Sequence, residues 1–393
     1  MRRPGAGAVL GVSFAALAIG TLATAAPGTL APELRAALGL TRAEIGLLTS
    51  LVFVGAILSS RRAGRLTDSA GPALVLGVAM AGSAVAVTLA ASAPSGAFFM
   101  AAMLLVGIAY GAVNPPTNVV VAGRLARRRG FFLSLKQTGV PFGVLLAGAF
   151  LPPAAVLLGW RGALLLIALA SMLVAAGTVF LRGAVAARAE DVAVLPAGAV
   201  GESVALGVFG FVMAGIQWSF ITYLTLFLSQ EHGFTLPRAG LALALAQALG
   251  ALGRLTWGWL SDVPGRRVAI LYGLALLSAC SLGGLASGIE GPALWPIVAV
   301  SGFAIVGWNG AYHALLADRA GPGRVGRMSG DALAIVYGGP VVLPPLLGLV
   351  VDATGSWRVL WLVCAALVGA AAIMLRIAFG RRRRPLRRRR SRG

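Results

Sequence analysis

Lys136 is the single lysine among 33 basic residues, and it stands in an apolar stretch, FFLSLKQTGVPFG, at residues 131–143. An ammonium in such a setting is costly unless it is partnered. Two further polar sets share these surroundings: Asn114 and Asn118 in GIAYGAVNPPTNVVV, and Asn309 and His313 in GWNGAYHALLA. A spacing of four puts both members of each pair on one helix face. The pairs repeat at a constant offset of 195, as do Thr24 and Ser219, and the same offset applied to Lys136 lands on Asp331. Amides donate and accept hydrogen bonds, histidine titrates near physiological pH, and lysine, unlike arginine, can lose its proton when buried. This chemistry holds a polar or anionic solute or moves a proton. No nucleophile–base set, H-E-x-x-H or phosphate-cradling motif accompanies it, and the only histidines are His232 and His313, so the chain does not read as an enzyme.

The elements that carry these residues follow from composition. Hydrophobic residues make up 58% of the 393-residue chain, charged residues 11%, and the mean hydropathy is +0.89. That is too poorly charged for a soluble domain. Marking the charged positions leaves long uncharged intervals, each long enough for a membrane-spanning helix of about 20 residues. The longest, 69–123, is divided at ASAPSGA by Pro94 and Gly96. Twelve helices are expected, at 8–30, 44–61, 72–92, 97–122, 131–154, 161–181, 203–229, 238–259, 268–287, 292–316, 329–351 and 357–378. The runs lack the alternation of barrel strands, which makes this an all-α membrane protein.

The net charge of +21 and the tail RRRRPLRRRRSRG raise nucleic-acid binding as a reading. The distribution argues against it. With both termini on one side, only Arg35, Arg42, Arg161, Arg238 and Arg358 fall on the other, the positive-inside pattern of a multi-pass inner or plasma membrane protein with cytoplasmic N and C termini. No groove-reading module accompanies the charge, and the tail suits anionic lipid. An N-terminal signal peptide ending at ATAAPG is an alternative for the first span, but its removal would leave an odd span count. Cys280 and Cys364 lie in apolar spans and indicate neither a disulfide framework nor a metal site.

Two segments between spans carry one signature: GRLTDSAGPA at 64–73 and GWLSDVPGRR at 258–267. Gly64, Leu66, Asp68 and Gly71 map onto Gly258, Leu260, Asp262 and Gly265 at an offset of 194. Trp160-Arg161 and Trp357-Arg358 open the sixth and twelfth spans alike. The chain is thus two six-helix halves in parallel topology. The signature resembles the G-x-L-x-D-x-x-G-[RK]-[RK] loop of the major facilitator superfamily. The second copy is complete through Arg266 and Arg267, and the first has Pro72 and Ala73 where the basic pair is usual. The likeness covers all but the basic tail and implies an N-terminal bundle at 1–181, a linker at 182–201, a C-terminal bundle at 202–379 and a tail at 380–393.

The resemblance also implies that the first, fourth, seventh and tenth spans line a central cavity. The expected substrate-binding set is Asn114, Asn118, Asn309, His313, Tyr110, Gln217 and Tyr223, although a structural reading of such amides as helix-to-helix hydrogen bonds stays open. Gly64, Asp68, Gly71, Gly258, Asp262, Gly265, Arg266 and Arg267 are expected to gate or to stabilise the cytoplasmic side. In the resembled family the fifth helix packs on the eighth and the second on the eleventh. Lys136 is therefore expected to meet the end of the eighth span near Asp262, and Asp331 to meet Arg61, Arg62 or the Asp68 segment. The expected function is secondary transport of a small solute, an organic anion among the candidates. Proton coupling would rest on His313, Asp331 or Lys136. The expected protein is monomeric and has neither cofactor nor metal. An exporter of amphipathic compounds and a transporter-like sensor are the alternatives.

Overall fold

A computed structural model of the chain describes residues 5–124, 129–181, 200–261, 266–320 and 325–380. Among them are 11 helices long and apolar enough to cross a membrane, one of which, Leu135–Leu181, runs for 47 residues. That is far more than one bilayer requires. Gly159, at φ 70°, ψ 165°, breaks it into two passes, which restores the twelve expected spans. A left-handed φ is tolerated there because glycine has no Cβ.

The passes are α1 (Ala6–Thr29), α2 (Arg42–Ala70), α3 (Pro72–Ala91), α4 (Gly96–Gly111 continued by Asn114–Arg124), α5 (Arg129–Gln137 continued by 139–158) and α6 (160–177) in the first half. The second half holds α7 (Val200–Glu231), α8 (Leu236–Ser261), α9 (Arg267–Ala286), α10 (Leu294–Ile305 continued by Asn309–Ala320), α11 (Val325–Thr354) and α12 (Trp357–Gly380). The beginning of α1 and the end of α12 share one membrane face, called here the terminal face. The opposite one is the far face, where α2 starts on a capping box between Thr41 and Glu44.

The Gly64 segment is a helix end rather than a loop. Helix α2 continues through Gly64 and Asp68 to Ala70. It is stopped by Gly71 at φ 88°, whose N–H bonds Thr67, and Pro72 opens α3. The turn is a single residue because a positive-φ glycine followed by an N1 proline ends one helix and starts the next.

Small residues set the packing, and they repeat between halves. In the first, Gly55 of α2 and Gly107 of α4 each meet the other helix's backbone; in the second, Gly250 of α8 and Gly302 of α10 do the same, again 195 residues on. The halves meet through α2 on α11, α5 on α8 and α1 on α7. A Cβ on Gly148 of α5 would lie 2.6 Å from the carbonyl oxygen of Gly240 of α8, and one on Gly28 of α1 would lie 2.6 Å from Cα of Thr222 of α7. Such approaches are what small residues permit between membrane helices.

Candidate functional site

The site begins where two helices are interrupted. Pro115 and Pro116 carry no N–H, so α4 breaks at Ala112–Val113, where tighter bonds run from Ala112 N to Ala109 O and from Val113 N to Tyr110 O, and it resumes on Asn114. Helix α10 breaks at 306–308 and resumes on Asn309, the residue 195 positions later. Discontinuous helices in a membrane expose backbone and polar side chains at mid-depth, and they do so at sites that bind solutes.

The Lys136 side chain is 0% exposed. Its Nζ donates to Asn114 Oδ1 at 3.2 Å, Thr117 Oγ1 at 3.2 Å and Asn118 Oδ1 at 2.5 Å. Three ammonium protons thus meet three oxygens, all on α4. In this structure the lysine therefore meets α4, whereas the contact expected with the end of α8 involves Asp262, outside the described residues. The reason lies in the stripe that follows the lysine: Gly139 and Gly143 pack on Phe14, Leu17, Ala18 and Thr21 of α1, which turns Lys136 toward α4 within its own half. Asp262 and Gly265 lie outside the described residues, and of Asp331 only its place in α11 is described.

In the second half the amide oxygen of Gln217 accepts from Trp308 Nε1 at 2.8 Å and from Asn309 Nδ2 at 3.2 Å. Gln217 is therefore the strut that holds the resumed end of α10. Thr24 and Ser219 turn back onto carbonyls of their own helices, Gly20 and Gly215. His313 is exposed one turn beyond Asn309, as Asn118 is beyond Asn114. Tyr110, 8% exposed, sits against Gly20 with its hydroxyl 3.5 Å from Thr21 Oγ1.

Arg254 of α8 completes the set and was missed in the sequence. Its Nε donates to the carbonyl of Val306 at 3.1 Å, satisfying backbone freed by the break in α10. It lies within electrostatic range of Tyr110 in the other half and of His313. The available signal was an arginine inside the uncharged run ALALAQALGALGRLTWGWL. Lys136 and Arg254 thus supply one cation from each half. Among the described residues the one ion pair is at the far face, and neither cation faces a carboxylate.

Tyr223 belongs elsewhere than the other substrate candidates. It is 0% exposed, and its hydroxyl lies 2.6 Å from the Pro344 carbonyl and 3.0 Å from the Arg42 carbonyl, in a seal between the halves at the far face. The same seal contains the Thr49 and Thr222 hydroxyls 2.8 Å apart, Thr225 donating to the Gly28 carbonyl at 2.6 Å, and Ser50 donating to the Val341 carbonyl. Asp352 of α11 accepts from the backbone N–H groups of Arg42 and Ala43 at 3.2 and 2.8 Å, capping α2 from the opposite half, and pairs with the Arg42 guanidinium at 3.5 Å. Arg42 also donates to Gln230. The floor of the seal is Phe53 of α2, edge-on to Trp218 at 4.8 Å and 5.7 Å from Tyr337. His232, outside the spans at this face, is edge-on to Phe227, and burial pushes its imidazole below the ordinary histidine value, so it is largely neutral at pH 7.

On the terminal side of that floor, the described residues show no hydrogen bond between the halves, and Leu66, Leu255 and Trp259 are exposed. Asp68 is exposed there and makes no hydrogen bond among the described residues. Gly258 of α8 lies behind Gly310 of α10. Arg266 is exposed, and Arg267 ties α9 to its neighbours through the carbonyls of Ser261 and Ala314.

A sequence model of the family described as Major Facilitator Superfamily matches residues 9–332. The gallate transporter of Pseudomonas putida is 29% identical over 328 residues, covering 73% of this chain and 72% of its own. The probable L-galactonate transporter of Escherichia coli K12 is 24% identical, covering 86% and 82%. An uncharacterized MFS-type transporter of Mycobacterium tuberculosis is 26% identical, covering 87% and 78%. Among solved structures, a bacterial homolog of the human lysosomal transporter Spinster, inward-facing and occupied, superposes with a TM-score of 0.77 at 15% identity, covering 97% of this chain and 96% of that one.

Proposed function

The chain belongs to the major facilitator superfamily, a multi-pass membrane transporter of small solutes, and we propose that its solute is an organic carboxylate carried by alternating access. The observation that carries this reading is a pair of cations, Lys136 in the first half and Arg254 in the second, neither facing a carboxylate among the described residues. Two cations with no carboxylate partner among the described residues attract an anion, and the amides of Asn114, Asn118 and Asn309 suit its remaining oxygens. Gallate and galactonate, in the names of two relatives, are both carboxylates.

The bias of arginine toward the terminal face supports placing that face in the cytoplasm of the inner membrane. The state described is then inward-open: sealed outside by the Arg42–Asp352 end and open to the cytoplasm below Phe53. A carboxylate entering the cleft bridges Lys136 of the first half and Arg254 of the second, and drawing the two together favours closure of the cytoplasmic side. The Gly64–Gly71 and Gly258–Arg267 segments are the natural contacts of that closed state. His313, exposed beside Arg254, is the proton carrier this site offers.

Counterflow in proteoliposomes with labelled aromatic and sugar acids tests the reading. Exchange of at least one carboxylate is expected. Lys136→Ala and Arg254→Gln should each raise KM about tenfold or more, the worth of one charge-assisted hydrogen bond. Exchange restricted to neutral solutes, with KM unmoved by either substitution, overturns it.

A further inference from the structure

Gln247, in the middle of α8, is 1% exposed, and both its Oε1 and its Nε2 lack a hydrogen-bond partner. The other orphaned atoms among the described residues are four serine hydroxyls and the Trp361 indole N–H, one atom each. A serine can turn back onto its own helix, and an indole leaves a single donor. A glutamine with donor and acceptor both unmet is more costly and asks for an occupant.

Its position says which occupant. Residues 240, 244, 247, 251 and 254 follow one face of α8. At one end of this stripe Gly240 and Ala244 pack on Gly148 of α5, in the closed contact between the halves. At the other, Arg254 is anchored on Val306 at the break in α10, and its Nη groups make no hydrogen bond among the described residues. Gln247 stands between them, two turns or about 10 Å along the axis from Arg254. Helical side chains lean toward the N-terminus, so the long Arg254 side chain reaches back toward Gln247 and shortens that gap to what a single ring or a short carbon chain spans.

We propose that Gln247 is a specificity-determining residue that reads a hydroxyl at the end of the substrate remote from its carboxylate. This rests on the carboxylate reading above. A hydroxyl donates and accepts at once, as the primary amide does, so one hydroxyl satisfies both orphaned atoms; a second carboxylate would leave Oε1 unmet. The favoured substrates are therefore hydroxylated acids rather than plain aryl or alkyl monocarboxylates.

The test uses full-length protein and matched acids that differ only in the distal hydroxyl: benzoate against 4-hydroxybenzoate, and hexanoate against 6-hydroxyhexanoate. Wild-type protein should exchange the hydroxylated member of at least one pair with a KM about tenfold lower or better, since a site built to bond a hydroxyl discriminates against its absence. In Gln247→Leu that preference should collapse through a raised KM for the hydroxylated acid. The melting temperature of the unliganded variant should hold or rise, because the orphaned amide is gone. Ligand-induced thermal stabilisation of purified Gln247→Met gives a second readout independent of transport. A wild type that treats both acids alike, an unchanged ratio in Gln247→Leu, or equal loss of both acids in Gln247→Met overturns this inference while leaving carboxylate transport standing. A wild type that binds no carboxylate at all overturns both.

Discussion

The two ends of the interface between the halves are built from different chemistry. The far-face end is closed by neutral groups: hydroxyls on carbonyls, helix backbone against helix backbone, and an aromatic floor, with one ion pair whose side chains are 24% and 25% exposed. The end beyond the floor carries the charges, the interrupted helices and the unmet amide. Neutral hydrogen bonds contribute about 1 kcal/mol each and the exposed ion pair about that or less. A seal made of such parts opens without stripping a buried charge. At the cationic end Lys136 is already buried on three oxygens, so the penalty for closing empty falls on the Arg254 guanidinium, and an anion there would remove it.

Three substitutions probe this contrast. The largest effect is expected from Gly28→Val, whose side chain has no room against Thr222. It should hold the far face open and lower transport by about two orders of magnitude or more, with a cysteine placed at Thr49 becoming reactive to an impermeant maleimide once Cys280 and Cys364 are replaced. A silent label at Thr49 would mean the seal lies elsewhere. Asp352→Asn keeps the shape of the cap and removes its charge; a charge-assisted cap is worth about 1–2 kcal/mol, so Thr49 labelling should rise by roughly 5- to 30-fold. The smallest change belongs to Arg42→Gln, about two- to threefold at low ionic strength and vanishing near 1 M salt, since only an exposed pair is lost. A salt-independent effect of Arg42→Gln would instead assign the latch to its bonds with Gln230.

Much of the fold was legible because charge marks the ends of membrane helices and the repeat fixes their pairing. The break in α4 was legible too, in Pro115 and Pro116. Its partner in α10 was not, since GWNG contains no proline and the interruption depends on Gly307 lying against Phe303 and Trp257. Lys136 was singled out by type, but its oxygen partners on α4 were not: a stripe of small residues declares that a helix approaches without saying which one. For Gln217 the pattern gave a polar side chain in the cavity, and only the fold shows its carbonyl already taken by Trp308 and Asn309. Arg254 escaped notice because a residue near the end of a span counts as its boundary. Tyr223 was assigned to the solute by its neighbourhood on α7, yet its depth places it in the seal.

The three oxygens around Lys136 amount to a built-in hydration shell. In water an ammonium is surrounded by acceptors, and here α4 carries equivalents of them into the membrane. Under the carboxylate proposal, an arriving anion would perform a ligand substitution, exchanging with one oxygen while the other two stay, and would never meet a bare cation. Entry and exit would then pass through nearly equivalent solvation states, as turnover demands of a carrier that must let go of what it has caught.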